Sequence, residues 1–259
     1  MIRLAALLLA AAATGHYDRA NSYFGQQRFA EADAELSEAL REDPNLVPAL
    51  TLRGKLAMAL NRFDQARDAL RRAAALQPKS AYVQFLLGFF YYVDNDFQKA
   101  IPQLESARQL NPRDARAAFY LALSEDGLGA AETALPLYEM TIDLEKSAGR
   151  PTADVHVAYA RLLFSLGRYE EAQAQITVAL RLDPKSRDAH YEQGRLWFEG
   201  GEFGKAAEEG EKALAMAGVG TLDRQIHFLL ARTYAKLDKK ALAEAHLVAF
   251  KASAASLRR

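Results

Sequence analysis

LLGFFYYVDNDFQKAIPQLESARQLNP, residues 86–112, contains two stretches with helical periodicity, a short turn between them and a proline at the end. The same proline turn occurs at Pro44, Pro78 and Pro112, a spacing of 34 residues. A second strong copy, RLLFSLGRYEEAQAQITVALRLDP, occupies residues 161–184. A fixed period of this length indicates tandem units of two helices, each of which buries its apolar face only against its neighbours.

Three rows of residues keep the same frame through the chain. Small residues recur on the first helix and alanines on the second, where they let two helices approach closely. Bulky apolar residues on the second helix continue one buried face. The small row is Ala20, Gly54, Gly88, Ala122, Ala160, Gly194 and Ala231; the alanine row is Ala32, Ala66, Ala100, Ala134, Ala172, Ala206 and Ala243; the bulky row is Leu36, Leu70, Leu104, Tyr138, Ile176 and Leu247, with Gly210 in the sixth unit.

These rows resemble the tetratricopeptide repeat, which combines small and aromatic residues on the first helix, alanines on the second and a proline at the end. The resemblance runs from about His16 to the C-terminus. It implies an all-α fold, a right-handed superhelical solenoid of about seven helix-turn-helix repeats. It also implies a non-catalytic scaffold for protein–protein interaction. Because Gly210 lacks the bulky side chain of its row, we expect the last repeat to be attached more loosely than the others. The alternative is that a partner approaches the backbone closely at Gly210.

The frame contains one clear insertion, because the period lengthens by four residues between the fourth and fifth units. Gly149 can end a helix in the left-handed conformation, and Pro151 can begin the next helix. We therefore predict four repeats over residues 14–146 and three over residues 147–259. The two groups form one continuous solenoid with a short insertion near residues 146–151, where we expect a bend.

The N-terminus has the order of a secretory signal, with a positive charge at Arg3, an apolar run and then small residues. We predict that residues 1–13 are a signal peptide. The mature protein would then be periplasmic or secreted, as a component of a bacterial cell envelope. The alternative is an extra helix that caps the first repeat of a cytoplasmic protein. The apolar run is shorter than the roughly 18 residues that a membrane-spanning helix needs, so we predict no integral membrane span.

Composition and charge narrow the function classes. The 33 basic and 33 acidic residues give zero formal net charge, which argues against a general nucleic-acid-binding role. The absence of cysteine excludes disulfides, thiolate zinc sites and cysteine nucleophiles. No catalytic constellation, phosphate loop or cofactor motif is found, so we predict no enzyme activity, cofactor or metal. Four histidines share one place on separate first helices, where we expect equivalent half-buried sites rather than a metal centre: His16, His156, His190 and His227.

In the tetratricopeptide family, the free face of each first helix lines a concave groove that holds partner peptides. The middle of this groove is apolar, whereas its C-terminal part places Arg161, Arg195 and Arg232 between aromatic rings. Arginine presents a planar fork to carboxylates and stacks on rings, so we predict that this part favours an acidic peptide or protein segment. The predicted groove residues are Lys55, Tyr82, Phe85, Phe89, Tyr92, Phe119, Arg161, Phe164, Tyr191, Arg195, Phe198, Phe228 and Arg232.

Two alternatives stay open. The arginines would instead pair with acids on adjacent helices, such as Asp154, Asp188 or Glu192, and the rings would simply pack between repeats. The alternative function is a structural or assembly protein that self-associates through its last repeat. The apolar residues Leu247, Val248 and Phe250 of that repeat would form the contact surface, since no polar capping helix is evident after them.

Overall fold

The computed structural model describes the backbone of residues 2–216 and 221–256 and the side chains of residues 11–216 and 222–253. These residues form fourteen α-helices and no strand, and the predicted all-α fold of helix-turn-helix repeats is confirmed. The helices are α1 (Ile2–Gly25), α2 (Phe29–Glu42), α3 (Val47–Ala59), α4 (Phe63–Leu76), α5 (Ala81–Val93), α6 (Phe97–Leu110), α7 (Ala115–Gly127), α8 (Ala131–Ser147), α9 (Ala153–Ser165), α10 (Tyr169–Leu182), α11 (Arg187–Glu199), α12 (Phe203–Ala215), α13 (Thr221–Lys236) and α14 (Lys240–Ser256).

Contacts between helices divide the chain into two compact units, Met1–Leu137 and Tyr138–Arg259, which we call the N-terminal and C-terminal units. The N-terminal unit contains α1 to α7, and the C-terminal unit contains α9 to α14. The division falls within α8. In both units the odd-numbered helices are the first helices of the repeats and the even-numbered helices are the second.

The two helices of every repeat are joined by the same tight turn. One residue in each turn has a left-handed backbone, with φ between 55° and 78°. The following amide donates a hydrogen bond of 2.8–2.9 Å to the carbonyl five residues before it. This pattern is the Schellman ending of a helix, and it satisfies carbonyls that the helix end leaves free. The left-handed residues are Gln27, Asn61, Asn95, Gly129, Gly167, Gly201 and Asp238.

The rows of small residues lie in the core, where helices approach too closely for larger side chains. Every residue of the small row is buried, as is the alanine row as far as Ala206. A Cβ atom on Gly54 would lie 2.5 Å from Cγ of Leu70, and one on Gly88 would lie 2.7 Å from Cγ of Leu104. The glycines are therefore needed because the bulky row of the second helix packs directly on the first.

The bulky row changes in the last two repeats. At Gly210, Leu230 of α13 fills the space that a larger side chain would take: a Cβ on Gly210 would lie 2.7 Å from Cδ2 of Leu230. Leu247 of α14 is 39% exposed, whereas its counterparts in the first five repeats are fully buried. The first helix of the next repeat covers this row at Gly210, and no described helix follows α14.

The insertion lengthens α8 and forms an ordered turn. The helix continues to Ser147, Gly149 follows with a φ of 66°, and α9 begins at Ala153. The carboxylate of Glu145 accepts hydrogen bonds from the backbone nitrogen of Thr152 at 2.8 Å and from its hydroxyl at 3.0 Å. The prediction that Gly149 follows the helix end in the left-handed conformation is confirmed.

The first helix, α1, is continuous from Ile2 to Gly25 and includes the segment predicted as a signal peptide. Side chains before Ala11 lie outside the described residues. The second half of α1 is the first helix of the first repeat, and its residue Ala20 is buried, as is Ala13 at the end of the predicted signal segment. Within the described part of the chain, no helix has both the length and the apolar character that crossing a membrane requires.

Candidate protein-binding groove

The first helices of the last three repeats, α9, α11 and α13, line a groove in the C-terminal unit. Its volume is about 640 Å³. All seven groove residues predicted in this unit contribute to the lining: Arg161, Phe164, Tyr191, Arg195, Phe198, Phe228 and Arg232. The lining also contains residues that the sequence prediction did not include, among them Asp188, Glu192, Glu199, Leu222 and Gln225.

Two of the arginines stack on aromatic rings of the preceding repeat. The guanidinium carbon of Arg195 lies 4.0 Å from the ring centre of Phe164. That of Arg232 lies 4.3 Å from the ring centre of Phe198 and 5.7 Å from that of Phe228. Stacking leaves the edge of the guanidinium, which carries its hydrogen-bond donors, free to bind an acceptor.

Acidic residues of α11 neutralise two of the three arginines. Glu192, which is only 2% exposed, accepts hydrogen bonds from Nε of Arg161 at 2.9 Å and from the guanidinium of Arg195. Asp188 accepts a second bond from Arg161 at 3.3 Å. Burial disfavours the charge on Arg161, but the two carboxylates outweigh it and raise the pKa of Arg161. The alternative pairing with acids on an adjacent helix is thus realised for Arg161, through Asp188 and Glu192. Arg195 pairs instead with Glu192 of its own helix, and Asp154 forms none of the ion pairs found among the described residues.

Arg232 differs from the other two arginines. Among the described residues, no carboxylate lies within ion-pair distance of its guanidinium, and its side chain is exposed. Phe228, one helical turn before it, is 44% exposed. Burial raises the pKa of the Tyr191 hydroxyl in the same groove, so this group stays protonated near neutral pH and can donate a hydrogen bond.

Rings at the C-terminal ends of the first helices also stabilise the repeats themselves. Phe164 contacts Tyr169 with ring centres 5.2 Å apart, and Phe198 contacts Phe203 at 5.4 Å. Each contact joins the end of a first helix to the start of the second. Phe198 is 8% exposed, so its ring forms a floor beneath Arg232 rather than a free surface.

In the N-terminal unit, the equivalent positions form an aromatic cluster. Phe85 is buried, its ring is stacked on Phe89 with centres 6.0 Å apart, and the guanidinium of Arg116 lies 4.8 Å above it. The ring of Tyr120 makes edge contacts with Phe89 at 4.7 Å and with Tyr92 at 5.1 Å. Sequence reasoning missed Tyr120 because it lies one position outside the groove frame, although the adjacent pair of rings on α7 was a visible signal.

The other predicted groove residues of this unit keep part of their surface open. Lys55 is half-buried, with Nζ 5.1 Å from the ring centre of Phe24. Tyr82 is 45% exposed. Phe119 is half-buried against Tyr120, with ring centres 5.5 Å apart. Of the six residues predicted here, Phe85 is therefore the one that the fold buries.

The four equivalent histidines occupy matching sites between the two helices of their repeats. Three are half-buried and His156 is buried. Nδ1 of each ring contacts a side chain 19 residues later, at 2.6–3.0 Å. Within the described ranges, no group of three or more potential ligands could hold a metal ion. The partners are Glu35, Gln175, Glu209 and His246.

Tandem two-helix repeats with a groove along their first helices define a helical repeat protein. Sequence profiles described as tetratricopeptide repeat match residues 23–88, 91–151 and 158–221. The chain therefore belongs to the tetratricopeptide repeat family. Proteins of this family generally act as non-catalytic scaffolds for protein–protein interactions.

Known proteins similar to this chain share its repeats at low identity. Tetratricopeptide repeat protein 16 of Mus musculus is 30% identical over 172 residues, which cover 62% of this chain and 22% of the mouse protein. The chain thus spans about a fifth of that relative's length. A tetratricopeptide repeat protein from Parabacteroides merdae has a TM-score of 0.75 at 14% identity, covering 94% of this chain and 93% of its own. Pseudomonas aeruginosa PilF has a TM-score of 0.68 at 20% identity, covering 80% and 92%.

Proposed function

We propose that the protein binds a segment of a partner protein in the groove of its C-terminal unit, and that the groove favours segments with acidic side chains. One observation supports this proposal above all others. Three guanidinium groups and four aromatic rings line a single groove of about 640 Å³. Aromatic residues and arginine are the residue types enriched at protein interfaces and at their energetic centres.

The dimensions of the repeats suit an extended segment. Neighbouring first helices in such packing lie about 10 Å apart, and an extended chain advances about 3.3 Å per residue. Every third side chain of a bound segment would therefore face the next helix. A carboxylate that reaches a guanidinium contributes about 1.5–3 kcal/mol per charge-assisted hydrogen bond, and the rings offer apolar contact on either side.

A photo-crosslinking amino acid at Gln225 would test the proposal, because Gln225 is exposed and lies in the groove lining. The full chain carrying this group is illuminated in native lysate, and the crosslinked segments are sequenced by mass spectrometry. A matched control carries the same group at Glu170, an exposed residue of the second helix α10. The expected result is a small set of segments captured at Gln225 and absent at Glu170.

The substitution Arg232→Gln supplies the second arm. It removes the charge of a guanidinium that has no carboxylate partner among the described residues, and we expect about tenfold weaker capture at Gln225 with unchanged helicity. Acidic residues should be enriched in the captured segments. Equal capture at Gln225 and Glu170, or full capture by the Arg232→Gln variant, would contradict the proposal.

Self-association through the last repeat is a second candidate function, and the exposure of α14 favours it. Leu242, Leu247 and Val248 are 44%, 39% and 62% exposed. Leu247 belongs to a row that the following repeat covers elsewhere. Contiguous exposed apolar residues commonly mark interaction surfaces.

Sedimentation equilibrium over a range of concentrations would distinguish this candidate from the first. If α14 is the contact, the wild-type mass rises with concentration and the substitution Val248→Glu keeps the protein monomeric. Glu170→Lys, an exposed change on α10 rather than on α14, serves as the control and should leave the mass unaffected. A wild-type protein that stays monomeric at all concentrations would exclude self-association as the function.

A further inference from the structure

Glu192 occupies an unusual place for a carboxylate, buried at the base of a groove between two arginines. Both of its oxygens are used: Oε1 accepts from Arg161 and Oε2 from Arg195. Its side chain is 3% exposed, whereas those of Arg161 and Arg195 are 49% and 27% exposed. The buried carboxylate therefore holds two guanidinium groups in place by hydrogen bonds, and both of these groups still line the groove.

The charge that remains for a ligand is concentrated at Arg232. Arg161 faces Asp188 as well as Glu192, and Arg195 shares Glu192 with it. In the described part of the chain, Arg232 has ring contacts with Phe198 and Phe228 but no carboxylate partner. The three groove arginines thus differ in how readily they can take a new carboxylate.

We infer that Glu192 determines the charge selectivity of the groove, so that the bound segment presents one carboxylate, to Arg232, beside apolar side chains. This inference rests on the proposed function and specifies the class of partner. A ligand carboxylate at Arg161 or Arg195 would compete with Glu192, which is already desolvated and hydrogen-bonded to both. Separating that buried carboxylate from its partners is costly, so additional acidic residues in the segment gain little.

The corresponding partner is an amphipathic extended segment rather than an acidic repeat. Its single carboxylate binds the edge of the Arg232 guanidinium, whose faces contact rings. Apolar side chains next to it contact Phe228 and Leu222, both of which line the groove. A segment with several acids would also bring unpaired negative charge close to Asp188.

A random peptide library displayed on phage, selected against the full chain, tests this selectivity directly. Four proteins are compared: wild type, Arg232→Gln, Glu192→Gln and Glu199→Gln. The last is a matched control, because Glu199 lines the groove, is exposed and has no arginine partner among the described residues. It changes the groove charge as much as Glu192→Gln does, without releasing an arginine.

We expect wild type to enrich peptides with one acidic position, and Arg232→Gln to lose that preference. Glu192→Gln should enrich a second acidic position about three residues from the first, the spacing between neighbouring first helices. A synthetic peptide with both acids should bind Glu192→Gln about tenfold more tightly than it binds wild type. Glu199→Gln should keep the wild-type pattern.

The variant Asp188→Asn keeps the test decisive even if Glu192→Gln folds poorly. Asp188 is exposed, and its ion pair within the described residues is with Arg161, so its loss should give a smaller gain at the second acidic position. Enrichment of several acidic positions by wild type, or equal patterns for Glu192→Gln and Glu199→Gln, would overturn the inference. If wild type selects no peptide at all, the proposed function itself fails, and the inference fails with it.

Discussion

The two units use the same helical frame to build different surfaces. On α5, Phe85, Phe89 and Tyr92 follow the steps of four and three residues; on α11, Tyr191, Arg195 and Phe198 do so. The middle residue accounts for the difference. A ring at position 89 packs on Phe85, whereas an arginine at position 195 stacks on a ring and still reaches the groove. The position in the repeat determines the direction of a side chain. The type of side chain at that position then determines whether the surface is buried by packing or remains an accessible groove.

The physical reason lies in the shapes of the side chains. Rings from neighbouring repeats close over one another and exclude water, which makes them part of the core. An arginine covers a ring with its stem and plane but keeps its donors in water or on a partner. The N-terminal cluster should therefore contribute mainly to stability, and the C-terminal groove mainly to binding.

The largest expected effect on stability comes from replacing the aromatic residue at the first position of the frame in each unit. Phe85→Ala should lower the free energy of unfolding by about 3–5 kcal/mol, because Phe85 is buried among rings. Phe228→Ala, at the equivalent position on α13, should cost about 1 kcal/mol or less, because Phe228 is 44% exposed. Urea denaturation measures both. Similar losses for the two variants would remove the distinction between the units.

A second test concerns the ion pairs. Glu192→Ala leaves the guanidiniums of Arg161 and Arg195 without their shared carboxylate, and we expect a loss of about 1–2 kcal/mol, moderated because water reaches both arginines. Asp64→Ala in the N-terminal unit breaks an exposed pair with Arg67 and should cost below about 0.5 kcal/mol. Chemical denaturation at low and high salt compares them. Equal costs would mean that Glu192 behaves as a surface residue.

The response to acid should also separate the units. Burial and the adjacent His246 lower the pKa of His227. The unfolded chain therefore takes up this proton first, at a pKa of about 6.5. The resulting stability is present above that pH and is lost as the pH falls towards the folded-state pKa. Thermal unfolding between about pH 7.5 and pH 5.5 should show a decrease in the C-terminal unit.

The surroundings of the histidine pair define the control for this measurement. Glu211 lies 3.3 Å from Nε2 of His246, and its carboxylate also accepts a hydrogen bond from Tyr234. Asp223, itself paired with Arg187, and Glu211 both raise the pKa of His227, against the larger lowering effects of burial and His246. The substitution His246→Gln should flatten the decline below neutral pH. In the N-terminal unit, His16 contacts Glu35, whose pKa is lowered by Arg19 and His16, so that pair should persist to a more acidic pH.

The smallest effect is expected in the turns. Gln27 in the N-terminal unit has a left-handed φ of 59°, a conformation that glycine adopts without steric cost. Gln27→Gly should therefore stabilise the protein by about 0.5 kcal/mol. Gly167→Ala, the opposite change at the equivalent turn of the C-terminal unit, should destabilise it by about 1 kcal/mol. Denaturation curves of the two variants measure the expected gain and the expected loss in the free energy of unfolding. A loss of stability for Gln27→Gly would contradict the steric cost assigned to this turn.

The positions of the helices were predictable because the residues that recur with the repeat period are the ones buried between helices. Gly54 and Gly88 mark the close approach of two helices, and the packing of Leu70 and Leu104 on them follows from the same spacing. The convergence of the three arginines on one groove also followed from the frame. These features depend on the positions of the helices, which the period of the sequence predicts.

The partners of long side chains were less predictable. The pair of Glu192 with Arg195 follows the i,i+3 spacing of one helix. No spacing rule indicates that the same carboxylate also binds Arg161 of the preceding repeat, since this depends on side-chain rotamers. The burial of Phe85 depends on Tyr120, which reaches it from the next repeat. Such contacts depend on how neighbouring repeats pack, which a single repeat does not specify.

The shared turn between the two helices of each repeat has a consequence for how the protein folds. The hydrogen bond that closes each turn spans only five residues, and the two helices that it joins are adjacent in the chain. Chains dominated by such short-range contacts fold quickly, and each helical pair can form as soon as it has left the ribosome. Folding of this protein can therefore proceed from the N-terminus during synthesis, one hairpin at a time, with the groove of the C-terminal unit completed last.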